Sequence, residues 1–422
     1  MSAGNVSFVS FGCAMNKADS DSAKEYARIS GLNIVEPGEA ETVVVFSCSV
    51  RNETEDKIIA FTKGLLSEGR RVVVTSCLAN SRPGRLVREA PGAVLMIGGD
   101  HAEILDAMHS EPGRIVYGRT RLQPSATPSV IQPVKIAQGC SSNCSFCITK
   151  LARPQLWSRP AREIIDTVQR AVKLGAVEIQ LCSMDNADYF SPPNIRLPEL
   201  VDMVVQNVEG NYMVRVGMMN PNGFERFADR LTDTLYQSQV YKFLHVPVQS
   251  GSPTIVEDMN RHYDPYKVAL RILSFKEKLP ETVMATDLMV GYPTEDEEAF
   301  ERTLQLIKDV KPDIVNVSKF FARPKTAAAK MPNSVPKPEI KRRSSIAAEL
   351  AKAIALERNQ RWIGWSGEIF VDEVGKASGS WVGRNFAYKP IIIKSDDNLL
   401  GKTVKVKVVK AFSTYLEAQK VG

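Results

Sequence analysis

Apolar and polar positions along this chain fall into two successive strand–helix series followed by a strand-rich tail. Short apolar runs at Val6–Phe11, Thr42–Phe46, Val72–Thr75, Ala93–Ile97 and Arg114–Tyr117 alternate with amphipathic stretches such as Ala18–Ile29 and Glu53–Leu66. That rhythm predicts a parallel sheet covered by helices. Residues 119–132, RTRLQPSATPSVIQ, hold two prolines among small polar residues and read as a linker. A second series has strand candidates at Val134–Ala137, Glu178–Leu181, Met213–Val216, Phe243–Val246, Val283–Val290 and Ile314–Lys319. Helical stretches lie between them, among them Arg162–Lys173, Phe224–Leu235 and Glu295–Asp309, the last opened by a capping-box sequence at Thr294–Glu297. Six such units suit a partial (βα)6 barrel better than a complete eight-fold one. Prolines at 332–338 break the pattern before a polar helix at about Glu339–Gln360. Short strands at Glu368–Val371, Tyr388–Ile393 and Thr403–Val409, separated by Gly-rich turns, then predict a small β-barrel. The expected class is α/β, in three parts: 1–118, 126–358 and 361–422.

Composition narrows the chemistry more than the fold. The 422 residues are 44% hydrophobic, and no apolar run is long enough to span a bilayer. The N-terminus lacks the basic and apolar regions of a signal peptide, so a reducing cytoplasm is the expectation. There, seven cysteines point to metal, cluster or catalytic thiols rather than disulfides. Four histidines, none paired at ligand spacing, argue against chemistry built on several imidazoles. From Lys319 to Arg361, eleven Lys or Arg stand against three Glu. This is either a solvated helix or a strip that tracks phosphates.

Cys140-Ser-Ser-Asn-Cys144-Ser-Phe-Cys147 is the strongest signal. Three thiolates on one loop can each ligate one iron of a cubane and leave the fourth iron open. The loop follows the first strand of the second series, at the carboxyl end where such barrels place their chemistry. The alternative, structural zinc, needs four protein ligands, and no fourth lies nearby. Cys13, Cys48 and Cys77 form a second trio, each ending an apolar strand: VSFVSFGC, TVVVFSC and RVVVTSC. Parallel strands bring their carboxyl ends to one edge, so the three thiols can converge. Three buried apolar cysteines are the alternative. Cys182, within EIQLCSMD, reads as a core strand residue.

These motifs resemble the radical S-adenosylmethionine (SAM) methylthiotransferases over nearly the whole chain. FGCAMN, CSFC, RVGMMNP, PVQSGS, DLMVGYP and RPKTAAAKM occur in the family's order. The resemblance implies an N-terminal methylthiotransferase domain, a radical SAM barrel and a C-terminal TRAM barrel. It implies two 4Fe–4S clusters. One, on Cys140, Cys144 and Cys147, cleaves SAM to a 5′-deoxyadenosyl radical; the other, on Cys13, Cys48 and Cys77, carries the transferred sulfur. The net change replaces C–H by C–S–CH3. Asp185, Arg215, Gln249 and Ser250 are candidates for binding SAM. Alternatively they are a satisfied strand end, a barrel-layer ion pair and a tight turn on Gly251. The chain departs from the family at Met184, usually Gln, and at Lys325, usually Gly.

The TRAM resemblance implies an RNA substrate, presented as a tRNA anticodon stem–loop. Candidate contacts are Lys341, Arg342, Arg343, Arg384, Phe386, Tyr388 and Lys389, which mix cations with aromatic rings; barrel core is the alternative for Phe386 and Tyr388. VNVSKFFARPKTAAAKM resembles the archaeal and eukaryotic branch, which acts on N6-threonylcarbamoyladenosine beside the anticodon. The absence of an apolar tail after TRAM suits an archaeal-type soluble enzyme. Isopentenyladenosine in tRNA, a ribosomal protein side chain and a non-enzymatic, metal-stabilised RNA-binding protein remain open. An electron donor and a sulfur source are implied partners.

Overall fold

The computed structural model describes residues 4–332 and 334–421. Six strands form an all-parallel sheet in the order Asn33–Ile34, Asn5–Ser10, Thr42–Ser47, Arg71–Ser76, Val94–Ile97 and Ile115–Tyr117. Val43–Ser47 and Val72–Ser76 are buried throughout, as central parallel strands covered on both faces must be. Register pairs Ser10 with Phe46 and Ser47 with Ser76, so all three strands end at one level.

The second series builds two three-stranded parallel halves. One runs Met213–Val216, Glu178–Cys182, Ile131–Lys135; the other runs Phe243–His245, Val283–Val290, Ile314–Lys319. A bridge between Val214 and Val240 joins them into an open arc. The first strand begins at Ile131, inside the expected linker, and includes Pro133. Only one of its sides is paired, so the missing N–H costs nothing there. Helix Ala14–Ile29 packs on this strand with a polar buried face that includes Asn16, Asp19 and Asp21. Helix Lys337–Gln360 packs on the opposite edge strand, Ile314–Lys319. The helix expected from Thr294 begins later: Asp296 accepts from Ala299 N at 2.8 Å, while Thr294 donates to Asp258 instead.

The tail closes into a five-stranded barrel. Strand Thr403–Ala411 alternates Val404, Val406 and Val408 inward with Lys405 and Lys407 outward. The barrel's core continues into Met213, Tyr241, Phe243, Val283 and Ala285, so it plugs the lower end of the arc. This corrects the reading of several residues as RNA contacts. Tyr388 donates to Glu178 at 2.9 Å and packs edge-on against Tyr241 and tilted against Phe243. Arg384 is held by Asp372 and Glu373 beneath that ring. Phe386 packs between Trp362 and Trp365, and Lys389, 2% exposed, pairs with Asp313. Arg343, 5% exposed, is spent on Glu295, and Arg342 on Glu297 and Glu339. Lys341 and Arg342 are both exposed, and of the triplet Lys341 alone carries no ion pair among the described residues.

Buried charges join the sheet to the arc. Lys135 lies 2.5 Å from both Asp19 and Asp100, all three almost fully buried. Arg153 reaches Asp19 at 2.6 Å, and Arg159 reaches Asp100 at 3.3 Å. A second joint centres on Glu55, whose buried carboxylate meets Arg82, Arg85 and, from beyond the arc's last strand, Arg323. Removing one member of a buried ion cluster leaves the others uncompensated. Lys135→Met is therefore expected to cost about 3 kcal/mol in denaturant unfolding, and adding Asp100→Asn should recover part of the loss.

Candidate functional site

Both cysteine trios lie at carboxyl strand ends, on either side of the joint. Cys13 N-caps helix Ala14–Ile29, Cys48 directly follows its strand, and Cys77 opens helix Cys77–Ser81. Gly12, at φ 107°, lets the backbone approach Cys48; a Cβ there would sit 2.8 Å from the Cys48 Cβ. Ser76 adopts φ 71°, an unfavourable conformation for a residue with a side chain, and turns the chain so that Cys77 starts its helix. Its hydroxyl donates to Asn16 and accepts from Arg153, which holds that conformation. Burial pushes the Cys48 thiol up to about 11, and the nearby Cys77 and Cys13 add to the shift. Cys77 and Cys13 both lie within electrostatic reach of the Cys48 thiol. Cys13 is exposed, whereas Cys48 and Cys77 are buried.

The Cys140–Cys147 loop is half-buried and tightly braced. Cys147 N donates to Cys144 O at 3.1 Å. Asp188 accepts from both Ser141 N and Ser141 Oγ, and Lys150 donates back to Cys140 O. Between the second and third cysteines, Ser145 meets Tyr292 Oη at 2.7 Å, and its carbonyl accepts from Ala328 N at 2.9 Å. Tyr292 belongs to DLMVGYP and Ala328 to RPKTAAAKM, so both motifs serve this loop. Burial and the charges of Asp185 and Asp188 push Cys140 up to about 12. Burial also pushes the Asp185 carboxyl up to about 6, with Asp188 adding to the shift against hydrogen bonds from Asn220 and Ala187.

The one group of three ligand-type atoms within 4.8 Å of one another among the described residues is Cys140, Asp185 and Asp188. Neither cysteine trio is gathered that tightly, as ligands of a single zinc ion would be. Three thiols per site, each free to take a separate iron, fit a 4Fe–4S cluster.

Arg153 links the two loops. It follows Cys147 closely in sequence, yet its guanidinium lies in the N-terminal sheet, bonded to Asn16, Asp19 and Ser76. Burial opposes its charge, but Asp19 and Cys77 more than offset that and raise its pKa. Arg323 adds a second link by donating to Ser49 O, beside Cys48, at 2.7 Å. Cys182, also buried, has a thiol raised by burial and by the neighbouring Cys13, and packs with Met15, Ala18 and Met184.

The four SAM candidates divide. Asp185 faces the Cys140 loop, and Gln249, at φ 69°, is half-exposed at the end of its strand region. Ser250 is corrected: fully buried, it bonds Thr303 and Ser252 N rather than lining a pocket. Arg215 is corrected as well, because its guanidinium lies 4.9 Å from the Phe243 ring and 5.1 Å from Tyr388, toward the C-terminal barrel. Sequence reasoning missed a polar chain on the arc's inner face. His245 meets Asp287 at 3.1 Å, and Asn316 donates to Asp287 at 2.7 Å. It also missed Arg261, which borders a cleft of about 130 Å³ with Ser141, Asn220 and Tyr263. Spacing on neighbouring strands offered a signal for the first group; Arg261 had none.

Residues 134–307 match the radical SAM superfamily, 5–98 the uncharacterized protein family UPF0004, and 367–421 the TRAM domain. The probable threonylcarbamoyladenosine tRNA methylthiotransferase of Pyrococcus horikoshii is 36% identical over 96% of this chain and 97% of its own length. The corresponding Archaeoglobus fulgidus protein is 35% identical over 98% of both. The threonylcarbamoyladenosine tRNA methylthiotransferase of Drosophila melanogaster is 29% identical over 95% of this chain and 75% of its own length. Among solved structures, the radical SAM methyltransferase TsrM from Kitasatospora setae superposes with a TM-score of 0.56 at 14% identity, covering 90% of this chain and 77% of that one. The cobalamin-dependent radical SAM enzyme OxsB gives 0.52 at 9% identity over 83% of this chain, which spans only 55% of that longer protein. These two likenesses concern the fold alone. The near full-length relatives at 35–36% identity, with the radical SAM and TRAM matches, settle the family: the chain belongs to the radical SAM methylthiotransferases.

Proposed function

We propose that this enzyme methylthiolates N6-threonylcarbamoyladenosine beside the anticodon of tRNA, with Cys140, Cys144 and Cys147 holding one 4Fe–4S cluster and Cys13, Cys48 and Cys77 a second. The observation that carries the reading is that Arg153, just past the Cys140–Cys147 loop, is bonded to Asp19 and Ser76 beside Cys77, in a chain resembling archaeal enzymes named for that nucleoside over nearly its full length. When bound, the clusters and SAM supply an electron, a carbon radical and a transferable sulfur.

The chain's own residues hold and aim. Asp188, Lys150 and Tyr292 fix the first loop, so its thiols are presented without rearrangement. Asp185, with its pKa near 6, is a hydrogen-bonding group beside Cys140 that suits the polar end of SAM. Arg153 puts a permanent positive charge beside Cys77. Arg323 and Glu55 hold the Cys48 loop against the arc. A reducing compartment, an external electron donor and a sulfur source complete the scheme. No helix among the described residues is long and apolar enough to cross a membrane.

Anaerobic reconstitution should load about eight irons per chain, four on each trio. Cys140→Ala should abolish SAM cleavage. Cys48→Ala should keep SAM cleavage but yield no methylthio nucleoside by mass spectrometry after incubation with SAM, reductant and hypomodified tRNA. Product from Cys48→Ala would overturn the second-cluster assignment. Methylthiolation of isopentenyladenosine instead would overturn the choice of nucleoside.

A further inference from the structure

We infer that a recess between the arc's free edge, the long helix and the C-terminal barrel binds one nucleotide of the RNA, next to the adenosine that undergoes reaction. The inference rests on the tRNA reading above and adds a second RNA-binding subsite to it.

The recess encloses about 640 Å³, within the usual range for small-molecule sites. One wall is strand Ile314–Lys319, paired with a strand on one side only among the described residues, so its other side is a sheet edge. The second wall is the helix face carrying Ala348, Ala351, Lys352 and Ala355, a flat apolar surface with one exposed ammonium. The third comes from the C-terminal barrel through Pro390, Ser413 and Thr414. Asp313 at the bottom does not repel an anion, because Lys389, Arg358 and Arg361 surround it within 3.4 Å.

Three features of the surroundings point to nucleic acid rather than a free metabolite. Ser413 and Thr414 sit in a turn flanked by Phe412 and Tyr415, whose rings stack at 4.5 Å and 20°, with Lys410 lying 4.7 Å over Phe412. Outward-facing Lys405 and Lys407 continue from Lys410 along the same strand, and none of the three has an ion-pair partner among the described residues. A lysine strip ending at stacked rings suits a phosphate backbone with an unpaired base. Asn316 belongs to both places: it lines the recess, and its amide donates to Asp287 on the arc's inner face. A nucleotide in the recess would therefore neighbour one entering the arc.

The test uses the full chain and a synthetic hypomodified anticodon stem–loop RNA carrying a photoreactive thiouridine on either side of the target adenosine. Crosslinks are expected on residues 348–359 or 410–415. Thr414→Trp, which fills the recess without changing charge, should weaken binding about tenfold at an unchanged unfolding midpoint. Lys352→Glu should weaken it as well, and Lys410→Ala should lower the salt dependence by about one counterion. Wild-type affinity in Thr414→Trp and Lys352→Glu, with crosslinks elsewhere, would reject the recess and leave the tRNA reading standing. Stem–loop binding no tighter than that of an unrelated hairpin would overturn the tRNA reading and the recess with it.

Discussion

Lys135 has almost no contact with water and two carboxylates within 2.5 Å, and the rest of the molecule is arranged around that constraint. Buried charges tolerate few relative positions, because any shift that separates a pair leaves each ion desolvated and alone. Asp19 and Asp100 come from the N-terminal domain, whereas Lys135, Arg153 and Arg159 come from the arc. The five groups thus act as a register between two domains that could otherwise pack in several ways. Glu55 repeats the device with Arg82, Arg85 and Arg323.

Chemistry sits at these joints for a geometric reason. Parallel strands deliver the two cysteine trios to carboxyl edges of separate sheets, and such edges meet only if the sheets are held end to end. Arg153 and Arg323 do this locally. Each leaves a segment that braces or follows the Cys140–Cys147 loop and ends beside a cysteine of the other trio. In the proposed reaction a radical generated at one site would meet sulfur held at the other, so this positioning is where the protein would contribute most to a reaction whose hard steps belong to its cofactors.

The placement of the six cysteines at strand ends was legible because spacing and apolar runs are both visible in one dimension. The three-part fold was legible for a related reason: strand length, helical periodicity and Gly-rich turns change where the architecture changes. The basic and aromatic segment Arg384–Lys389 misled, because a cation beside an aromatic ring serves a domain interface as well as it serves RNA. Only three-dimensional partners such as Glu178 and Asp313 distinguish the two uses. Arg343, Arg215 and Ser250 failed likewise, their partners lying far along the chain or on another element. The alternation in Val404–Val408 was readable as a lysine-faced strand, whereas the joint itself was not, since nothing local marks Asp19 and Lys135 as partners across more than a hundred residues.

The most direct measurement is electron paramagnetic resonance of the reduced, reconstituted protein beside two variants, each lacking one cysteine trio. If the two loops share one joint, each variant should give a narrow signal from its remaining cluster, and the intact protein a spectrum broadened by coupling between neighbouring spins. A wild-type spectrum equal to the simple sum of the two, or a signal lost only with the Cys140 trio, would contradict the account.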